Sequence, residues 1–260
     1  MPLLESYHLL SYESLDSTNE EAKRLAHGGG GHGAVLWAKQ QSSGRGRMGR
    51  PWVSMDGNLF VSLLLSPDKI QNEWPQLSFV AALAVYDAIA PLLPDGDDEL
   101  RLKWPNDLLL NGRKLGGILL ESFSTPAKDG IPAKSWVVVG VGVNVEHSPS
   151  DTEIPATHLK AAGVEIVSAK IVLSRFIHHF IQRYDAWDKK GFTAIQKDWM
   201  KAAHPKGTPM RARLMTETLH GTFAGLDNDG ACQVKLPDGS ARSITAGDVF
   251  FEYAPAGVGA

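Results

Sequence analysis

The chain has 260 residues, 43% apolar and 21% charged, with a formal net charge of −3. That length carries one sizeable core and a small additional domain. The acidic balance excludes a domain-wide basic field, so any anion must be recognised locally. Cys232 is the one cysteine, which excludes a disulfide and a thiolate metal site and fits a reducing, cytoplasmic setting. There is no basic leader before an apolar run, and no apolar stretch approaches the ~20 residues of a membrane span.

In chain order, residues 7–13 read as a short strand. Ser17, Thr18, Asn19 and Glu20 have the form of a capping box that opens a helix to about His27, where Gly28–Gly31 stop it. Those residues are either a good cap or a polar pocket at a helix start, where free N–H groups also collect. Residues 34–40 read as a strand that delivers Gln41 to the next loop. Residues 44–50 alternate three glycines with three arginines. No helix or strand tolerates that glycine density, so the segment is a loop. Its glycines allow close backbone approach, and its guanidinium forks suit a phosphate or a carboxylate. The alternatives are an RNA-binding Gly/Arg tract, which would repeat, and a plain basic loop.

Residues 58–66 form an apolar strand expected to be buried on both faces. A helix follows over 76–90, then a solvated acidic loop at 95–99. The segment 107–120 is a hairpin signal, with Asn111-Gly112 between apolar runs favouring a two-residue turn. Simple pairing sets Asp107 opposite Gly116 and brings Asp107, Leu109, Lys114 and Gly116 to one face. That is either a structural ion pair or a site floor. Residues 137–145 read as a buried strand in which Gly140, Gly142 and Asn144 share a face; strand glycines mark close approach of a ligand or another backbone. Helices are expected over 168–187 and 192–203, with His178 and His179 on the surface. Residues 204–207 resemble a domain junction, before five short strands in about 50 residues that read as a small barrel.

Four segments then fall in order: Gln-Ser-Ser-Gly-Arg-Gly-Arg-Met-Gly-Arg at 41–50, Lys-Trp-Pro-Asn-Asp at 103–107, Arg-Lys-Leu-Gly-Gly-Ile-Leu at 113–119 and Gly-Val-Gly-Val-Asn at 140–144. Together they resemble the biotin protein ligases, over nearly the whole chain. The resemblance implies an α+β fold: a mixed sheet with packed helices, related to class II aminoacyl-tRNA synthetases, over 1–205, then an SH3-like β-barrel over 206–260. It implies two steps: biotin and MgATP give biotinyl-5′-AMP, and a lysine of a biotin carboxyl carrier domain of acetyl-CoA carboxylase or a related carboxylase then takes the biotin. By position it implies biotin contacts at Ser17, Thr18, Asn19, Gln41, Arg45, Gly46, Arg47 and Lys114. Lys114 and Arg47 would be the catalytic cations. ATP and its adenylate would meet Arg50, Trp52, Lys103, Asn106, Asp107 and Asn144, with Asp107 as the Mg2+ partner. Sixteen residues precede Ser17, too few for the DNA-binding domain of some members. The resemblance therefore implies the monofunctional class, with neither DNA nor membrane as a partner, and leaves a homodimer open. The alternatives are a lipoate or octanoate ligase or transferase and a biotin-sensing repressor.

Overall fold

A computed structural model describes residues 7–94, 99–127, 132–150 and 152–252. Seven strands form a mixed sheet: β1 (His8–Leu15), β2 (Ala34–Gln41), β3 (Leu59–Leu65), β4 (Leu100–Lys103), β5 (Asp107–Leu110), β6 (Arg113–Thr125) and β7 (Lys134–Val143). Their order is β1-β2-β3-β7-β6-β5-β4. Only β1 and β2 are parallel, joined through helix α1 (Thr18–His27); the other neighbours are antiparallel. Most of the acidic run expected as a loop, residues 95–98, lies outside the described residues.

The side-chain alternation of β3 and β7 decides what covers each face. Leu59, Val61, Leu63, Val137, Val139, Val141 and Val143 point into the large core. Helix α2 (Leu77–Ile89) packs on that face beside α3 (Ala169–Lys190) and α4 (Phe192–Ala202). The stretch Gln71–Leu92 is, contrary to expectation, long and apolar enough to cross a membrane by length and composition, yet most of it is buried in this core. The opposite face carries a smaller cluster of Ala22 and Ala26 from α1 with Leu36, Leu64, Trp136 and Val138. On that face α1 covers only part of the sheet. Beyond it the residues shrink to Ser62, Gly140 and Gly142, and a cavity opens.

Two local expectations need correction. Ser17 is the N-cap of α1 by backbone conformation, but its side chain makes no capping bond. The box does not form because the Ser17 N–H donates to Asp16 Oδ1 at 2.7 Å and Glu20 is engaged by Lys23 and Arg45. The hairpin has its two-residue turn, with Asn111 and Gly112 both at positive φ. Its register shifts between Leu108 and Leu109, so Asp107 faces Gly117 and not Gly116. Leu115 is the extra residue of a bulge. The cause is a second set of bonds at Lys114, whose N–H donates to Pro155 at 2.7 Å and whose carbonyl accepts from Thr157 at 3.0 Å.

The C-terminal segment forms β8 (Pro209–Arg213), β9 (Thr218–Leu226), β10 (Cys232–Lys235), β11 (Ala241–Ile244) and β12 (Asp248–Phe251). They make a five-stranded antiparallel sheet in the order β11-β10-β9-β8-β12. Its inner residues Phe223, Val234 and Val249 join the large core. Trp104 Nε1 donates to the Gly230 carbonyl at 3.0 Å, and a Cβ at Gly230 would meet the Phe79 ring at 2.8 Å. The small sheet is seated on the large one, and β12 reaches the cavity.

Candidate active site

The cavity, about 360 Å³, is lined by α1, β2, the Gly/Arg loop, β5–β7, Pro149 and the 152–156 segment, and β12. That volume suits a small-molecule ligand. Its floor is a charged cluster. Asp107 Oδ2 lies 2.8 Å from Lys103 Nζ and Oδ1 lies 2.6 Å from Lys114 Nζ. Lys103 Nζ also donates to the Val249 carbonyl at 3.0 Å. Burial alone would raise the Asp107 pKa. The two ammonium groups outweigh it and hold the carboxyl well below the usual carboxylate range. Lys103 is 5% exposed, so it is a support beneath the floor; Lys114 is 28% exposed and faces the cavity.

Asp107 does not fit the expected magnesium role. Both of its oxygens are engaged by ammonium groups.

A neutral polar cluster lines a second part of the cavity. Gln41 Oε1 accepts from the Thr18 N–H at 2.8 Å and from Thr18 Oγ1 at 3.2 Å. Ser62 Oγ donates to Asn19 Oδ1 at 2.6 Å and lies 2.7 Å from Thr18 Oγ1. Asn19 Nδ2 donates to Glu121 Oε2 at 2.7 Å, which fixes the orientation of that amide. A Cβ at Gly140 would fall 2.3 Å from Asn19 Oδ1, so only glycine leaves room for this arrangement. Ser62 was not anticipated. It is the one polar residue in an otherwise apolar strand and is fully buried, and that exception was its signal.

The Gly/Arg loop is a tight turn. Gly46 N–H donates to the Arg50 carbonyl at 2.7 Å and Trp52 N–H to the Gly44 carbonyl at 2.9 Å. Met48 at φ 56° and Gly49 at φ 71° reverse the chain. Two of its arginines are held by carboxylates: Arg45 pairs with Glu20, and Arg50 Nη2 lies 2.8 Å from Asp248 Oδ1. Arg47 makes no ion pair among the described residues; its guanidinium donates to the Gly247 carbonyl at 3.3 Å, and burial pulls its pKa down. Trp52 lies across the sheet, where a Cβ at Gly142 would meet its ring at 2.6 Å and one at Gly117 at 3.3 Å. Lys114 Nζ is 5.6 Å from the ring centroid. The indole Nε1 is buried without a hydrogen-bond partner.

Residues 12–144 match the biotin/lipoate A/B protein ligase family, and residues 207–252 match the biotin protein ligase C-terminal domain. The biotin–[acetyl-CoA-carboxylase] ligase of Paracoccus denitrificans is 39% identical, over 91% of this chain and 97% of the relative. The chain belongs to the biotin protein ligase family. The biotin–[acetyl-CoA-carboxylase] ligase of Mycobacterium tuberculosis is 32% identical over 90% of this chain and 85% of its own length. The bifunctional ligase/repressor of Bacillus subtilis is 35% identical over 92% of this chain and 73% of its own length. In structure, the biotin protein ligase of Aquifex aeolicus in complex with biotin and ATP superposes with a TM-score of 0.78, covering 95% of this chain and 99% of that one at 27% identity.

All the residues that the family resemblance singled out line the one cavity: Ser17, Thr18, Asn19, Gln41, Arg45, Gly46, Arg47, Arg50, Trp52, Lys103, Asn106, Asp107, Lys114 and Asn144. Two of them also brace it. Asn106 Nδ2 donates to the Ile118 carbonyl at 2.5 Å, and Asn144 Nδ2 to the carbonyls of Thr157 at 3.0 Å and Lys114 at 3.4 Å. Asn144 thereby holds the wall that bends β6 at Lys114. Asn58 supports the same wall: its Oδ1 accepts from the backbone of Val145, Glu146 and His147. Sequence reasoning missed Glu121, Glu153, Asp248 and Phe250. None of the four lies within the motif segments, and the partners of Asp248 are far away in the chain.

Proposed function

We propose that this chain joins biotin to a lysine of a biotin carboxyl carrier domain at the expense of ATP, through biotinyl-5′-AMP. The observation that carries the reading is one cavity holding two unlike clusters. Ser17, Thr18, Asn19 and Gln41, with buried Ser62 bonded behind Thr18 and Asn19, are neutral and polar, which suits the uncharged ureido head of biotin. Lys114, Arg47 and Arg50 are cationic, which suits a carboxylate and a triphosphate.

In the first step the biotin carboxylate attacks the α-phosphorus and pyrophosphate leaves. Two anions must approach, so stabilisation by preoriented cations dominates. Lys114, held in place by Asp107, bridges the carboxylate and the α-phosphate. Arg47, which pairs with no carboxylate among the described residues, meets the charge that develops on the phosphate. Trp52 stacks on adenine, and the ribose and base meet Asn106 and Asn144. Magnesium would come with the nucleotide as the MgATP substrate and would supply further positive charge at the phosphates. In the second step the carrier amine attacks the acyl carbon and AMP leaves; the Gly/Arg loop must shield the mixed anhydride from water and then open for the lysine. ATP as substrate and a buried free thiol at Cys232 fit a cytoplasmic setting.

Purified protein is mixed with biotin, MgATP and a carrier domain. Pyrophosphate release that depends on biotin, and a carrier mass increase of one biotinyl group, are expected. Release with lipoate and none with biotin would overturn the substrate assignment, and no release with either would overturn the reaction.

A further inference from the structure

A chain of four charges runs along the cavity, and the reaction above draws on only one of them, Arg50. Arg50 of the Gly/Arg loop places Nη2 2.8 Å and 3.0 Å from the two carboxylate oxygens of Asp248, the first residue of β12. Asp248 Oδ2 also accepts from Arg213 Nη2 of β8 at 3.1 Å. Arg213 continues to Glu153 on the 152–156 wall at 2.6 Å and 2.9 Å. Arg50, Glu153 and Asp248 line the cavity. Three segments, separated by up to 198 positions in sequence, are thus tied at one carboxylate.

An arginine bound on a carboxylate is not fully available to a phosphate, and a carboxylate beside a triphosphate repels it. Asp248 is 19% exposed on its side chain, so this pair is only partly screened by water. We infer that Asp248 is a positioning residue that stands in for the nucleotide phosphates. It holds Arg50, and with it the Gly/Arg loop, onto the C-terminal sheet while no phosphate is present, and it yields Arg50 when the triphosphate enters. Once pyrophosphate has left, Asp248 takes Arg50 back and fastens the loop over the acyl-adenylate. The C-terminal sheet thereby acts on adenylate retention without touching the reacting atoms. Arg213 tunes the exchange, because its charge partly neutralises Asp248 and weakens the hold on Arg50.

This inference rests on the proposed function, and wild-type biotin-dependent pyrophosphate release is measured first so that the two fail separately. Asp248→Asn keeps the shape and removes the charge. Its expected effects have opposite signs. The KM for ATP falls about two- to five-fold, the range a partly exposed ion pair can supply, and inhibition by inorganic pyrophosphate strengthens. The isolated enzyme–adenylate complex loses its adenylate faster by a similar factor. Asp248→Glu restores both values. A residue that merely seats the C-terminal sheet would instead raise the KM for ATP and lower the melting temperature. A KM for ATP that is unchanged or raised in a folded Asp248→Asn protein, adenylate loss at the wild-type rate, or failure of Asp248→Glu to restore either value overturns the inference. Should Asp248→Asn not fold, Arg213→Gln decides. It leaves Asp248 bound to Arg50 alone, so the KM for ATP must rise while the isolated complex loses its adenylate more slowly than wild type; an unchanged or lowered KM, or adenylate loss at or above the wild-type rate, overturns the inference.

Discussion

At the scale of single residues, the floor cluster separates chemistry from stability. Lys114 faces the cavity and shares Asp107 with Lys103. In Lys114→Ala one ammonium still neutralises Asp107, so the fold survives while the cation at the reacting phosphate is lost. Single-turnover pyrophosphate release should slow by roughly 10²- to 10³-fold, with a melting temperature near that of the unmodified protein. Asp107→Asn is the converse case. It strands Lys103, 5% exposed, without a counter-charge, which costs about 3 kcal/mol. Urea unfolding should show a midpoint lowered accordingly, and a midpoint unchanged within error would mean that the cluster is relaxed by water. Of the residues involved, Lys114, Asp107 and Lys103 were legible in sequence as a motif. That one carboxylate serves both lysines was not, because the bulge at Leu115 turns the strand and simple pairing does not anticipate it.

At the scale of elements, β7 shows how a strand can build two parts of a site. Its site face narrows to Gly140 under Asn19 and Gly142 under Trp52. A methyl at Gly140 pushes on the polar cluster, and a methyl at Gly142 pushes on the indole. Gly140→Ala should weaken biotin binding about ten-fold, or about 1.4 kcal/mol, with ATP binding little changed. Gly142→Ala should do the reverse. Calorimetric titration of each variant with biotin and with ATP checks this, and equal losses of both ligands in both variants would show that the strand had simply shifted. The strand and its glycines could be read in the sequence, since alternation gives the face. What stands over each glycine could not be, since Asn19 comes from α1 and Trp52 from a loop.

At the scale of the whole molecule, the seam between the two sheets matters most. His204 follows α4 there, 4% exposed and stacked on Phe251 with ring centroids 3.8 Å apart. Burial pushes its pKa down to about 4. The folded value lies below the unfolded value of about 6.5, so the unfolded chain binds the extra proton first. Its contribution is therefore fully present above about pH 6.5 and is lost as the pH falls toward 4, on the order of 3 kcal/mol in all. Glu99, Arg101 and Lys103 act on the same ring electrostatically. Unfolding free energies measured between pH 7 and pH 4 should fall less steeply in His204→Gln than in the unmodified protein; parallel curves would remove His204 as the cause. Because the large core runs through both sheets, tryptophan fluorescence and far-UV circular dichroism should trace one coincident urea transition. Two separated midpoints would show that the small sheet unfolds alone.

The sequence by itself determined the parts whose information is local. The Gly/Arg loop follows from glycine density, the hairpin from Asn111-Gly112, the helices from apolar spacing, and the family from four ordered motifs. These depend on residues within a few positions of one another, where backbone sterics and periodicity act. Only the tertiary structure decided which arginines pair with which carboxylates and where β12 sits. Arg45, Arg47 and Arg50 are alike in sequence, yet Glu20 holds the first and Asp248, 198 residues away, holds the last. Charge pairing depends on distance in space, and chain order carries little of that information until the sheets have packed.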